Sequence, residues 1–470
     1  MSSSLPRRRL LHAALASPLL ALPPAQAQPN RLQDLLDERV RLEGMGLAAA
    51  QVLEDGTLQL SAAGRSGVGE ALLTPDRHRL EIGSITKPFI GLLLADAVLR
   101  GELKLDDPLE ASLPEGLALR DSAGQPLRWV DVATHRSGLP RLPSNWEPAN
   151  PLDPYADFGD PQMLAALRAF QPKRRRDEAF EYSNFGYGLM GWLLARRAQQ
   201  PLGRLLDVRV LEPLGLGGPQ GMSLRPAEGP AAVQGHDAQG KPTPAWTFDA
   251  LAGAGALRAS AAQLARFAQA MLGHPAHPLR DAAQLALQVH SALGPRPGMA
   301  MGLAWMRLQH AGRDIATHDG GTFGFSSSLW LDLTKRRAGL ALANAQVVVT
   351  DLAGHLTDPA ARLRDIAAER RAAEQALAQP AQTLSDEQLA ALAGVYALNP
   401  QFKVTVRVEG QRVFGQATGQ GEFELFAKSE RQLFARVTPL EMHFDAGSPS
   451  AAFTLLQGGG KLRFVRESAP

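Results

Sequence analysis

The chain has 470 residues, 45% of them hydrophobic and 20% charged, a balance that suits a globular protein of more than one domain. The absence of cysteine excludes disulfides, thiolate catalysis, cysteine-ligated metal and lipid attachment through an N-terminal cysteine. The formal charge of +2 includes Arg7, Arg8 and Arg9; without those three the body carries −1, which argues against a nucleic-acid partner.

Those arginines, the apolar stretch Leu10 to Leu22 and Ala25-Gln26-Ala27 read as an export signal over residues 1–27. The expectation is a mature chain starting near Gln28, periplasmic or secreted, with no stable membrane span, because the apolar run is short. Sec and twin-arginine export both remain open.

Leu32, Leu35, Leu36, Val40 and Leu42 recur at helical spacing. Two strand-like runs follow, 46–53 and 57–63, joined by Glu54-Asp55-Gly56 as a hairpin turn. Ser84-Ile85-Thr86-Lys87 then opens an apolar run through Leu99, which reads as a buried helix stopping at Gly101. Residues three apart on a helix share a face with Cβ atoms about 5–6 Å apart, so the Lys87 amine can reach the Ser84 hydroxyl. A serine needs a neighbouring base, and a lysine serves only when desolvation or positive charge lowers its pKa. Ser84 at the helix start also gains free backbone N–H groups for an oxyanion. The same serine can be read as a simple N-cap.

His135, followed by Ser137-Gly138-Leu139-Pro140, reads as structural or helix-terminal, and residues 143–159 as a long loop forming a cleft wall. Lys173 to Arg176 are a basic run, either a solvated loop or an attractor for a substrate carboxylate. Glu181-Tyr182-Ser183-Asn184 precedes an apolar helix over 185–198. Tyr182 can act as base or relay if the lysine ammonium depresses its pKa, and Asn184 can hold Lys87; a core tyrosine with a capping asparagine is the alternative. Ser260 and Gln263 form a capping-box pattern, and Gly302 to Trp305 begins a strand region. His274 and His277 lack companions for a metal site, so no metal and no cofactor is expected.

His318-Asp319-Gly320-Gly321 leads into extended runs at 325–331 and 339–343, a hairpin across 332–337. An N–H on an exposed edge near Gly321 can join that of Ser84 in an oxyanion hole; a glycine-rich turn with a surface histidine is the other reading. Residues 351–382 read as a helical connector, Ser385 and Gln388 as a second capping box, and the alternating Phe402, Val404, Val406 and Val408 as the start of a small antiparallel sheet or barrel.

Three motifs in order, Ser84-x-x-Lys87, Tyr182-x-Asn184 and His318-x-Gly320, resemble the serine β-lactamase and penicillin-binding protein superfamily, in its class C-like branch with the related D-alanyl carboxypeptidases and esterases. Glu81-Ile82-Gly83, residues 133–140 and Glu212-Pro213-Leu214-Gly215-Leu216 carry the same likeness, and the end of the chain looks like an attached lipocalin-like domain. The resemblance implies an α+β fold: an antiparallel sheet flanked by helices, with an inserted helical lobe, over 28–350, then a barrel-like domain over 383–470. It implies Ser84 as acylated nucleophile, Lys87 and Tyr182 as the proton-handling pair, and Asn184, His318, Gly320 and Gly321 as substrate-binding and oxyanion residues. The partner would be a small-molecule or peptide acyl substrate, with self-association possible through the C-terminal domain. His318 stands where many members have a lysine, which removes a permanent cation and puts β-lactam hydrolysis in doubt.

Overall fold

The computed structural model describes residues 31–69, 71–293, 298–399, 402–418, 421–436, 440–457 and 460–467. The proposed export signal lies outside the described residues.

The helical spacing at the start forms α1 (Arg31–Glu43), and the hairpin forms β1 (Leu47–Val52) and β2 (Leu58–Ala63). The rest of that sheet comes from much later in the chain: β3 (Ser291–Ala292), β4 (Met299–Met301), β5 (Met306–His310), β6 (Arg313–Gly321), β7 (Ser326–Asp332) and β8 (Arg337–Ala343). The spatial order is β2-β1-β8-β7-β6-β5-β4-β3, and every neighbouring pair is antiparallel. Strands from the two ends of the domain therefore meet at β1 and β8, where Leu47 faces Ala343 and Val52 faces Ala338. Gly302 to Trp305, expected to open a strand, is the turn between β4 and β5; Gly302 N–H donates to the Trp305 carbonyl, and Ala304 has φ +74°.

The period-two alternation of β1 divides two cores. Leu47 and Ala49 pack with Leu36 of α1 and Leu352 of α5 (Thr350–Thr357), while Ala48 and Ala50 face the other side with α2 (Thr86–Leu99) and α4 (Ala261–Met271). Helix α2 is buried from Thr86 to Ala97 and carries apolar residues on every face, with Lys87 and Asp96 as its two buried charged-type side chains. Phe89 stacks on Phe267 of α4 at 3.8 Å. The segment between β2 and β3 forms the inserted lobe, with α3 (Asn184–Arg197) against α2. The Ser260 and Ser385 capping boxes form as expected.

After α6 (Ile366–Ala378) and α7 (Asp386–Leu392) the chain closes an eight-stranded barrel, β9 (Gly394–Asn399), β10 (Phe402–Glu409), β11 (Arg412–Ala417), β12 (Phe423–Ser429), β13 (Gln432–Ala435), β14 (Leu440–Phe444), β15 (Ala452–Gln457) and β16 (Gly460–Arg466). Each strand pairs with the next, and β9 with β16 through Tyr396 and Arg466. Closure leaves no free sheet edge. Tyr396, Phe453 and Phe464 fill the interior, and Arg466 donates to the carbonyls of Ala391, Ala393 and Ser450, tying the end of α7 to the last strand.

Two glycines bring β6 against the turn that carries Ser84. A Cβ at Gly320 would lie 2.0 Å from the Ile82 carbonyl oxygen, and one at Gly83, where φ is +48°, would lie 2.7 Å from the Gly321 nitrogen. The approach is fastened by the Ser327 hydroxyl, which donates to Ile82 O at 2.9 Å. Gly320→Ala is expected to cost about 2 kcal/mol of unfolding free energy, as overpacking does, measured by denaturant titration; a loss below about 0.5 kcal/mol would mean the strand yields freely at that point.

Candidate active site

Ser84 lies in a short helical turn, Gly83–Ile85, that runs directly into α2. It is no cap: Ile85 occupies the N-cap position and no side chain caps the helix there. The turn instead leaves the hydroxyl half-buried over the first turn of α2, with Lys87 beneath it, fully buried.

The Lys87 Nζ lies 3.0 Å from Ser84 Oγ, 2.9 Å from Asn184 Oδ1 and 2.7 Å from the Ala254 carbonyl oxygen. Among the described residues no carboxylate pairs with it. Burial first, and the nearby Arg141 guanidinium second, hold the amine well below the usual lysine range. A neutral amine has two N–H donors and one lone pair. Asn184 and Ala254 offer only acceptors, so they take the two hydrogens and the lone pair is left for the Ser84 hydroxyl.

The second motif is held by a zipper of main-chain bonds. Ser183, not Asn184, caps α3, its hydroxyl accepting from Gly186 N–H at 2.8 Å and donating to Pro140 O at 2.7 Å. Asn184 N–H and Phe185 N–H both donate to the Arg141 carbonyl. Asn184 is thereby freed to reach Lys87 with its oxygen and the Tyr155 hydroxyl with its NH2, at 3.0 Å. His135, buried with φ +58°, accepts the Ser183 N–H on Nδ1 at 3.0 Å and places its ring 4.5 Å from that of Tyr182. Its structural reading holds: it shapes the segment that presents Tyr182.

Tyr182 faces the same cavity as Ser84, close enough for the hydroxyl to act on the phenol, and Lys87 Nζ lies 4.8 Å from the ring centre. The expected depression of its pKa is overturned. Burial pushes the phenol up, outweighing the opposing influence of Ser84 and Arg141. Tyr182 thus keeps its proton at neutral pH.

His318 and the two glycines sit in β6 rather than in a turn. Strand β5 stops opposite Thr317, so among the described residues one edge of β6 is unpaired from His318 to Gly321. His318 is buried, and its pKa is lowered to about 3 by desolvation and then by Lys87. Its Nδ1 lies 2.7 Å from the Asp319 carbonyl, which can only accept, so the neutral ring carries its proton there and Nε2 is a lone pair. Ser84, Tyr182, His318, Gly320 and Gly321 line one cavity of about 550 Å³, with Met301, Met306 and Leu308 as an apolar flank. A larger cleft, about 1180 Å³ and lined by Arg196, Arg204 and Asp207, holds none of these groups.

The structure thus brings Ser84, Lys87, Tyr182, Asn184, His318, Gly320 and Gly321 together. The sequence reading missed Tyr155, the Ala254 carbonyl and Arg141. The first is hidden in the 143–159 loop, where Trp146, Tyr155 and Phe158 fold into an aromatic cluster with Phe248. A backbone carbonyl and a lone arginine leave no sequence signal. The basic run does not line the cavity, and two of its four residues are paired elsewhere: Arg174 with Glu181 at 2.9 Å and Arg176 with Asp131 at 3.4 Å.

A family model described as Beta-lactamase matches residues 32–362. A beta-lactamase of Pseudomonas fluorescens is 28% identical over 262 residues, 55% of this chain and 68% of that protein. In fold the chain is similar to a beta-lactamase/D-alanine carboxypeptidase from Pseudomonas syringae, with TM-score 0.60, 20% identity, and 71% of this chain and 98% of that one covered. It is also similar to the octameric penicillin-binding protein homologue from Pyrococcus abyssi, with TM-score 0.62 and 19% identity, over 93% of this chain and 99% of that one.

The His318 pKa has a consequence for stability. A histidine depressed from 6.5 to about 3 binds its proton in the unfolded chain before the folded one, so its contribution is complete above pH 6.5 and is lost as pH falls toward 3. His318→Gln should flatten part of that decline in a melting-temperature series; an unchanged slope would show that the imidazole takes up its proton equally in the folded and unfolded chain.

Proposed function

The chain belongs to the beta-lactamase family, and on that premise we propose an exported serine hydrolase that forms an acyl-enzyme at Ser84. The observation that carries this reading is the lysine with its lone pair left for the serine: three oxygens around Nζ, two of them unable to donate. As Ser84 Oγ bonds to the acyl carbon, its proton passes to Lys87. The N–H groups of Ser84 and Gly321 stabilise the oxyanion. Tyr182, a protonated phenol, hands its proton to the leaving group and regains one from Lys87. Water then attacks the acyl carbon, its proton returning along the same path, and Ser84 is released.

The substrates proposed are β-lactams, D-alanyl peptides or related acyl compounds. Esterase activity on small acyl esters is the second reading, favoured by the neutral His318 where a cation would otherwise meet a carboxylate. We place the protein in the periplasm or outside the cell on the strength of the export signal read at residues 1–27. Among the described residues no helix is long and apolar enough to cross a membrane. The working division is a hydrolase domain over 28–350, a connector over 351–382 and the barrel over 383–470. Self-association through the barrel is also proposed, supported by the likeness in fold to a protein described as octameric.

Incubation with a chromogenic cephalosporin, a peptide ending in D-Ala-D-Ala and p-nitrophenyl butyrate, followed by intact-protein mass spectrometry, tests the scheme. A transient adduct with turnover is expected, absent from Ser84→Ala; a persistent adduct would make the protein a receptor, and none would end the acylation reading. Lys87→Met should lower kcat/KM about 10²–10⁴-fold. In the wild type kcat/KM should rise with pH as Lys87 deprotonates, and Arg141→Gln, which removes a nearby positive charge, should move that limb to higher pH. Light scattering of the full chain at the mass of one protomer would remove the assembly proposal.

A further inference from the structure

Two candidates for meeting an anionic substrate came from the sequence, His318 and the basic run at 173–176; the His318 imidazole is neutral, and no residue of the run lines the cavity, Arg174 and Arg176 being paired with Glu181 and Asp131. One guanidinium remains at the cavity. Arg141 lines it together with Ser84, Tyr182 and His318, and its side chain is exposed. Among the described residues its guanidinium makes no ion pair and no hydrogen bond. Its main chain is fixed, because the Arg141 carbonyl receives the N–H groups of Asn184 and Phe185 at 2.9 and 3.1 Å. Its guanidinium carbon stands 5.6 Å from the centre of the Tyr182 ring, one ring away from the Ser84 hydroxyl.

We infer that Arg141 is the specificity-determining cation of this site, binding the carboxylate of an acyl substrate from the lobe wall opposite β6. The inference rests on Ser84 being the acylated residue. A guanidinium presents a planar fork that takes a carboxylate through two parallel N–H donors, and an exposed one loses no existing partner in doing so. The other charged residue at the cavity does not compete: the Asp319 carboxylate is turned to the far face of β6, where it accepts from Ser328 Oγ at 2.6 Å and Thr350 Oγ1 at 3.1 Å. On the β6 side His318 presents an Nε2 lone pair, which repels a carboxylate and accepts from an amide N–H or hydroxyl. The substrate class is therefore an ester or amide with a carboxylate a few bonds from its reacting carbonyl. That carboxylate points toward Arg141, and a neutral or donor-bearing portion lies toward His318 and the flank of Met301, Met306 and Leu308.

Two esters matched in length test this, p-nitrophenyl valerate and mono-p-nitrophenyl glutarate, which differ by a terminal carboxylate. The readout is the ratio of kcat/KM for glutarate over valerate within each protein, which cancels any general effect on Lys87. Arg141→Ala should lower the ratio about 10- to 100-fold, mainly through KM, the range of a charge-assisted pair. Arg141→Lys should keep part of it, and Arg141→Ala combined with His318→Lys should recover part by restoring a cation on the other wall. An unchanged ratio in Arg141→Ala would overturn the inference, as would equal losses on both esters. Calorimetry of free glutarate with Ser84→Ala, with and without Arg141→Ala, reads carboxylate binding apart from chemistry; equal affinity would also overturn it. If neither ester labels the wild type in mass spectra, the acyl-enzyme reading itself fails, a result distinct from a flat ratio.

Discussion

Everything in the cavity depends on an amine kept away from water and from any opposite charge. An isolated ammonium is costly to bury, so an uncompensated site favours the neutral form. Lys87 is placed where that cost is greatest, on a helix buried on all sides, and is surrounded by neutral oxygens. A carboxylate at the same place would raise the amine's pKa again by favouring its charged form. The site is defined by that missing anion as much as by the groups present.

The neighbouring groups follow from the same constraint. A protonated Tyr182 and a neutral His318 both result from desolvation, one pushed up and the other down, and the same burial lowers Lys87. Arg141 stands just outside this dry centre, where water still solvates it. Its position allows it to act on Lys87 through space without entering the buried network.

Most of the architecture was legible in the sequence because it was written in local chemistry. The Asp55-Gly56 turn, the capping serines at 260 and 385, and the alternation from Phe402 to Val408 each specify an element without reference to distant residues. The three motifs announced the residues that meet around Ser84. What was not legible depended on tertiary context. The direction of the Tyr182 shift follows from how much protein lies over the ring, and the tautomer of His318 from one carbonyl. The role of Ser183 as cap, with Asn184 released to face Lys87, follows from the zipper with 135–141. Gly302 to Trp305 misled because its apolar residues suit a buried turn as well as a strand.

The pairing of β1 with β8 has a consequence in time. Leu47 and Ala343 are adjacent in space and nearly three hundred residues apart along the chain, so the closing loop is long and its contacts are paid for late in folding. Strand β6, with His318 and the glycines, is seated only when that sheet is assembled. A growing polypeptide therefore carries Ser84 and Lys87 from early on without a finished cavity around them. The cavity is complete only once nearly the whole domain has been synthesised.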